Sequence, residues 1–177
     1  VGSIIFGILT AQMVNQKFYG RTFMRSVLLF PYVAPVVALA YTWELLLDPN
    51  SGTLNSLLIN FQVIETPINL LGQKYIDINI LGFDFKLRLA LTTVIMFEIW
   101  RYFPLAFLFI LARLQAIPKE LYEAADVDGA SPFQKFFNIT LPQITAVISI
   151  LFMIRFIWNF NKFEDVFLLT GGASGTR

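Results

Sequence analysis

Long apolar runs alternate with polar segments along this chain, and the alternation predicts membrane-spanning helices. The runs cover residues 26–47, 89–111 and 144–160, with a shorter one at 1–14. A helix of about 20 apolar residues crosses the ~30 Å hydrocarbon core of a bilayer. The three longer runs therefore predict spans. The run at 1–14 begins at Val1, and we interpret it as the second half of a span in a fragment that is truncated at both ends.

Prolines and charged residues interrupt the predicted spans, which indicates that the spans pack together. These residues are Pro31, Pro35, Glu44, Glu98, Arg101, Pro104 and Arg155. A proline leaves a backbone carbonyl without its helical partner, and lipid cannot replace that partner. A charged side chain that faces lipid costs about 2.5–3.5 kcal/mol. We therefore expect a bundle in which these groups face the interior or water.

The density of basic residues predicts which ends of the spans face the cytoplasm. Residues 15–25 contain Lys17, Arg21 and Arg25, whereas the much longer segment 48–88 is far less basic. Basic segments between spans stay on the cytoplasmic side of the membrane. Alternation then places 48–88 outside, 115–142 inside and 161–177 outside.

The outer segment 48–88 carries its own local patterns. The sequence DPNSG at 48–52 is a cluster of turn-forming residues. Apolar residues then recur at helical spacing over 54–61, which predicts a short helix at the membrane interface. Alternating residues on both sides of Leu81 and Gly82 indicate a hairpin. An irregular loop is an equally open interpretation of that stretch.

Composition agrees with a membrane protein and excludes several kinds of chemistry. Of the 177 residues, 56% are hydrophobic and 14% are charged, against about 45–50% and about 25% in soluble domains. The net charge is +1, and the sequence has neither Cys nor His. Disulfides, thiolate or imidazole metal sites and Cys or His catalysis are therefore excluded. We predict an all-α integral membrane protein without catalytic residues, without a metal site and without affinity for nucleic acid.

The inner segment 115–142 predicts a helix-turn-helix that lies along the membrane surface. Pro118 suits the first position of a helix, and Gly129 suits a left-handed stop. Ser131 followed by proline then predicts the cap of a second short helix, and Pro142 is expected to open the next span. Ala124, with its neighbours, leaves one side of the first helix nearly without bulk. Another protein could approach that side closely, but the pattern alone favours packing of the segment on its own bundle.

The segment EAADVDGASPFQKFFNITLPQI resembles the EAA loop of ABC importer permeases. That loop has a glutamate and two alanines, a glycine four residues later, and then I-x-L-P. The matching residues here are Glu123, Ala124, Ala125, Gly129, Ile139, Leu141 and Pro142. The stretches FYGRTFMRSVLLFPYVAP, LLLDPNSGTLNSLL, EIWRYFP and WNFNKFEDVFLLTGG are similar to the carbohydrate and glycerol-phosphate branch of that family. The resemblance extends over most of the chain.

The resemblance implies a permease that other proteins drive. Its fold is a bundle of transmembrane helices with a cytoplasmic coupling loop (MetI-like). The permease binds no cofactor, because a separate ABC ATPase dimer binds the ATP. The coupling residues that the resemblance implies are Glu123, Ala124, Ala125, Asp128 and Gly129. The other implied partners are a second, non-identical permease, an extracytoplasmic solute-binding protein and the bilayer of a prokaryotic inner membrane, which the chain crosses several times.

The resemblance also implies a pathway for a sugar or sugar-like solute. The implied residues lie on the motifs PYVAP, EIWRYF and WNFNKF, and they are Tyr32, Glu98, Arg101, Tyr102, Asn159 and Asn161. Glu98 and Arg101 are three residues apart, so they share a helix face and can pair. Each position is also compatible with a lining that holds no ligand. For Arg155 a structural role and a transport role both stay open.

Two other functions remain compatible with the spans. A secondary, ion-coupled transporter could use Glu98 or Arg155, but it gives no reason for an EAA loop. A membrane scaffold or an intramembrane enzyme is the other alternative. The sequence offers no nucleophile–base pair or metal cluster in support of an enzyme.

Overall fold

The computed structural model describes residues 1–16, 18–62, 64, 66–72, 76–80 and 83–160. Four helices precede a hairpin: α1 (Gly2–Asn15), α2 (Arg21–Val33), α3 (Val36–Leu46) and α4 (Thr53–Asn60). The hairpin strands are β1 (Ile76–Ile80) and β2 (Phe83–Leu87). The later helices are α5 (Leu89–Gln115), α6 (Lys119–Val127), α7 (Pro132–Lys135) and α8 (Leu141–Phe160), with a π turn at Phe136–Thr140 between the last two.

Long apolar helices dominate this fold, which confirms the predicted all-α membrane class. Among the described residues, α5 and the continuous helical stretch Pro132–Phe160 are long and apolar enough to cross a membrane. The pair α2 and α3 makes a third candidate if the two are one span. Helix α5 begins where the apolar run begins and continues to Gln115, because the helix formers after the apolar run extend it.

The predicted span 26–47 is two helices in the structure. Helix α2 ends at Val33 and α3 begins at Val36, with Pro35 in an extended conformation at the N-cap of α3. Proline has no N–H to donate, and it disfavours a helical conformation at the residue before it. Pro31, by contrast, lies inside α2. Pro31 is therefore accommodated within a helix, whereas Pro35, four residues later, lies at the break between α2 and α3.

Pro142 lies in the first turn of α8, the predicted span, but the helical stretch that crosses the membrane begins earlier in the chain. Helix α7, the π turn and α8 run together from Pro132 to Phe160. Within the turn, the Leu141 N–H donates to the carbonyl of Phe136, five residues back. A proline ring would clash with the carbonyl four residues before it in an α-helix. The helix passes Pro142 directly after this π turn, whose hydrogen bond spans five residues and not four.

The outer segment confirms three local predictions. Helix α4 forms over the apolar residues at helical spacing. The strands β1 and β2 pair antiparallel, with Ile78 opposite Phe85, and the turn at 81–82 lies outside the described residues. In the turn cluster, the Asp48 carboxylate accepts hydrogen bonds from the Ser51 N–H (2.8 Å), the Ser51 hydroxyl (2.9 Å) and the Asn50 N–H (2.9 Å). These bonds lower the pKa of Asp48.

The chain forms two compact units, and the predicted single transmembrane domain stays a prediction. One unit contains residues 1–33 and 99–160, and the other contains the described residues of 34–98. The first unit has an apolar core from α1, α5, α8 and the segment after α5. Its largest members are Ile4, Phe103, Phe107, Ile110, Leu111, Leu114, Ile117, Ile144 and Leu151. In the second unit, Asn55 is buried and bonds to both backbone groups of Ile68.

Candidate coupling segment and aromatic cluster

Helix α6 presents the predicted coupling residues on its exposed side. Glu123, Ala124 and Asp128 are exposed, and Ala125 is half-buried. Gly129 follows with φ +72°, and nothing lies within 4 Å of the place where a Cβ would stand. The left-handed stop predicted at this glycine is confirmed, because only glycine adopts that conformation without steric cost.

The second short helix of this segment has the predicted cap. The Ser131 hydroxyl accepts a hydrogen bond from the Gln134 N–H, and the Gln134 side chain accepts one from the Ser131 N–H. This reciprocal capping box satisfies two donors at the start of α7. The turn between α6 and α7 therefore has a defined geometry at both ends.

Polar contacts join α6 and α5 to the base of α8, the name we give to the π turn and the first residues of α8 (136–143). The hydroxyls of Tyr122 and Thr140 are 2.8 Å apart. Asp126 forms an ion pair with Lys135. At the end of α5, the Arg113 guanidinium donates to the backbone carbonyl and to the side-chain oxygen of Gln143, at 3.0 and 2.6 Å. The coupling segment is thus attached to the helix that follows it.

Two apolar side chains in this segment are unusually exposed. Val127 is 88% exposed at the end of α6, and Phe133 is 72% exposed at the start of α7. Phe133 packs against the ring of Phe137, which is also exposed, at a centroid distance of 4.5 Å. Contiguous exposed apolar groups of this kind indicate a surface for another protein or for a membrane. Val127 was not among the predicted coupling residues. Its place three residues after Ala124, on the same helix face, is the signal that could have identified it.

A second group of predicted residues forms an aromatic cluster around Tyr102. Its ring centroid is 6.3 Å from that of Tyr32 on α2 and 6.4 Å from that of Trp158 on α8. The guanidinium carbon of Arg155 lies 4.0 Å from the Tyr102 centroid, and that of Arg101 lies 5.0 Å from it. Both distances are within the range of a cation–π interaction. The structure thus brings Tyr32, Arg101 and Tyr102 together.

Of the other predicted pathway residues, the structure describes Glu98 and Asn159. Asn159 is exposed in the last turn of α8, and Asn161 lies outside the described residues. Glu98 is half-buried on α5 in the other compact unit, next to Phe97, whose ring packs edge-on against Trp43 at 5.4 Å. The pathway assignment as a whole stays a prediction.

Sequence reasoning left out Trp158 and did not decide the role of Arg155. The charge of Arg155 within a predicted span was visible as a signal, but its partner was not. Trp158 lies within the apolar run 144–160, directly before Asn159 of WNFNKF, and an aromatic residue in such a run is not distinctive. Both residues reach Tyr102 from another helix, and sequence spacing does not report such contacts.

Two concave sites lie in the first unit, one near the aromatic cluster and one beside the coupling segment. A groove of about 480 Å³ is lined by Ser26, Val27, Phe30, Pro31 and Trp100. A smaller, more polar one of about 280 Å³ lies beside the coupling segment, and Tyr122, Lys135 and Thr140 are among its lining residues. Among the described residues, no group of three or more Asp, Glu, His or Cys side chains could hold a metal ion.

Comparison with known proteins identifies relatives over nearly the whole chain. Residues 3–175 match the family described as "Binding-protein-dependent transport system inner membrane component". The inner membrane ABC transporter permease protein YcjO of Escherichia coli K12 is 37% identical over 169 residues, which are 96% of this chain and 54% of YcjO. The trehalose/maltose transport system permease protein MalF of Thermococcus litoralis is 34% identical over 171 residues, which are 97% of this chain and 53% of MalF.

A solved structure agrees with these relatives. One chain of the bacterial alginate ABC transporter, in complex with its alginate pentasaccharide-bound periplasmic protein, matches with a TM-score of 0.69 at 27% identity. The match covers 86% of this chain and 48% of that chain. This chain spans about half the length of the curated relatives it matches. With its apolar helices, it is a multi-pass inner-membrane protein, and it belongs to the family of binding-protein-dependent transport system inner membrane components, the permeases of ABC importers.

Proposed function

We propose that this chain is a permease subunit of an ATP-driven importer and that α6 is its joint with a separate ATPase. The observation that carries the proposal is the exposed helix α6, which ends at the left-handed Gly129 and presents Glu123 and Ala124 outward. The small side chains allow close approach, and Glu123 offers a charge to a basic rim. The permease itself then needs no nucleotide site, and the sequence contains no nucleotide-binding loop pattern.

The proposed importer has three further components. A second, non-identical permease completes the pathway, an ABC ATPase dimer binds α6, and an extracytoplasmic binding protein delivers the solute. A periplasmic binding protein is present in the alginate transporter structure, which supports the last of these. ATP favours one arrangement of the ATPase dimer. The transporter therefore moves between inward-open and outward-open states as a shift of populations.

We infer that the solute is a sugar or a sugar-like molecule. The relative MalF serves trehalose and maltose, and the structural relative imports alginate. The aromatic cluster around Tyr102 supports this class, because aromatic faces pack against the apolar faces of sugar rings while polar groups bind the hydroxyls. Tyr32, Arg101 and Tyr102 are the cluster residues that we assign to the pathway, together with Glu98, Asn159 and Asn161.

Affinity purification of the full-length chain from its native membranes tests the proposal. An importer permease is expected to bring down an ABC ATPase in a stoichiometric complex, because α6 would be buried in it. A secondary transporter would purify without an ATPase and would transport in response to an ion gradient alone. That result would replace the importer with the ion-coupled alternative.

Removal of charge from the proposed pathway should weaken transport without dissociating the complex. We expect Glu98→Gln and Arg101→Ala each to lower uptake by at least about tenfold, the factor that corresponds to roughly 1.4 kcal/mol. The matched control is Arg21→Ala, because Arg21 is an exposed residue at the start of α2. Uptake by cells and ATPase co-purification are the measurements. If each single change prevents folding and a neutral double change restores transport, the two residues are a structural pair.

A further inference from the structure

The coupling helix α6 and the base of α8 meet at a hydrogen bond between two side chains. The Tyr122 and Thr140 hydroxyls are 2.8 Å apart, although the residues are 18 positions apart along the chain. Thr140 is 6% exposed and Tyr122 is half-buried. The Thr140 hydroxyl also lies 3.4 Å from the Lys135 carbonyl, to which it donates.

Thr140 is the last residue of the π turn, and this position matters for the movement of α8. The helix is continuous from the turn into α8, so a displacement of Thr140 displaces the base of α8. Single π turns inside helices occur frequently at functional sites. The nearby ion pair of Asp126 with Lys135 has an exposed carboxylate, and water and salt weaken such pairs. The shielded hydroxyl pair is the firmer attachment.

The far end of α8 carries residues of the aromatic cluster. Arg155 and Trp158 contact Tyr102 from α8. At a rise of 1.5 Å per residue, Arg155 lies about 22 Å along the helix from Thr140. Helix α8 therefore joins the coupling segment to the proposed pathway as one element of regular structure.

We propose that Tyr122 and Thr140 are positioning residues that make α8 follow the movement of α6. The proposal rests on the proposed function of α6 as the joint with an ATPase. Through the hydrogen bond between the two hydroxyls, a displacement of Tyr122 with α6 displaces Thr140 in the π turn. Neither residue touches the solute, because both lie at the opposite end of α8 from the cluster.

The test follows α8 directly and needs no identified solute. The 177-residue sequence contains no cysteine, so Ile157→Cys, at an exposed side chain near the end of α8, supplies a reporter in a complex from which any other cysteines have been removed. The full complex is reconstituted in nanodiscs, and the rate of maleimide labelling is measured without nucleotide and after trapping with ATP and vanadate. We expect trapping to change the rate in the parent. We expect Tyr122→Phe and Thr140→Val to reduce that change by about fivefold, the factor that corresponds to one lost hydrogen bond.

Matched controls separate the bond from general effects of the substitutions. Thr145→Val makes the same change in α8, but the Thr145 hydroxyl bonds to the Leu141 carbonyl of its own helix. Tyr19→Phe removes a tyrosine hydroxyl, as Tyr122→Phe does, but from a fully exposed ring. Both controls should keep the nucleotide response of the parent.

The double variant distinguishes positioning from stability. Replacement of both hydroxyls leaves neither of the two side chains with an unpaired hydroxyl, so the melting temperature should return toward that of the parent, while the nucleotide response stays low. A response that recovers together with the melting temperature overturns the proposal, as does an unchanged response in Tyr122→Phe. In either case an ATPase that still co-purifies leaves the proposed function intact. Loss of the ATPase from the parent complex contradicts the proposed function itself.

Discussion

Gly129→Val is expected to abolish the stimulation of the ATPase by loaded binding protein while the permease still inserts into the membrane. Gly129 has φ +72°, and a residue with a Cβ pays roughly 1–2 kcal/mol in that region. The steric cost of this positive φ is higher for a β-branched side chain than for alanine. No atom lies within 4 Å of the added Cβ, so the bundle gains no clash. The strain and the added bulk act on the end of α6, where we place the ATPase.

The structure offers a matched control for this variant. Gly20 also has a positive φ, +88°, and open space around its missing Cβ. Gly20→Val should therefore cause similar strain at the start of α2 without uncoupling the ATPase. Glu123→Lys should reproduce the uncoupled phenotype by reversal of charge on an exposed side chain. ATPase activity of the reconstituted complex is the measurement. Full stimulation in Gly129→Val would show that the coupling joint lies elsewhere.

Gly7→Ala is expected to destabilise the packing of α1 on α5. A Cβ at Gly7 would stand 2.6 Å from the Ala106 Cβ and 2.9 Å from the backbone nitrogen of Phe107. The backbone of α5 cannot yield as a side chain can, so the two helices must separate. Overpacking of this kind costs typically about 1–3 kcal/mol. Close contacts between small residues hold membrane helices together, and their loss should lower the yield of folded protein.

Gly2→Ala is the control for that prediction. There the added Cβ would meet the side chain of Ile99, whose far end can rotate away. We expect the melting temperature of detergent-purified Gly2→Ala to stay near that of the parent and that of Gly7→Ala to fall by several degrees. Equal melting temperatures for the two variants would contradict the close approach of α1 and α5 at Gly7.

Several features followed from the sequence because their signals are local. The left-handed Gly129 and the cap at Ser131 each depend on residues close together in the chain. So does the hairpin, which was one of two interpretations that the alternating residues left open. Backbone sterics and short-range hydrogen bonds decide them before the helices pack. The EAA resemblance belongs to this group too, since a motif is a local pattern. The apolar runs indicated most of the helices for the same reason.

Only the tertiary structure decided the contacts between helices. The bond of Tyr122 to Thr140 and the approach of Arg155 to Tyr102 join residues that are distant in sequence. Which side chains meet depends on the rotation and spacing of packed helices, and an apolar run does not specify either. The continuity of α7 with α8 was also decided by the tertiary structure and not by the sequence pattern. A proline usually ends a helix, and here a π turn lets the helix pass Pro142 with Thr140 held against α6.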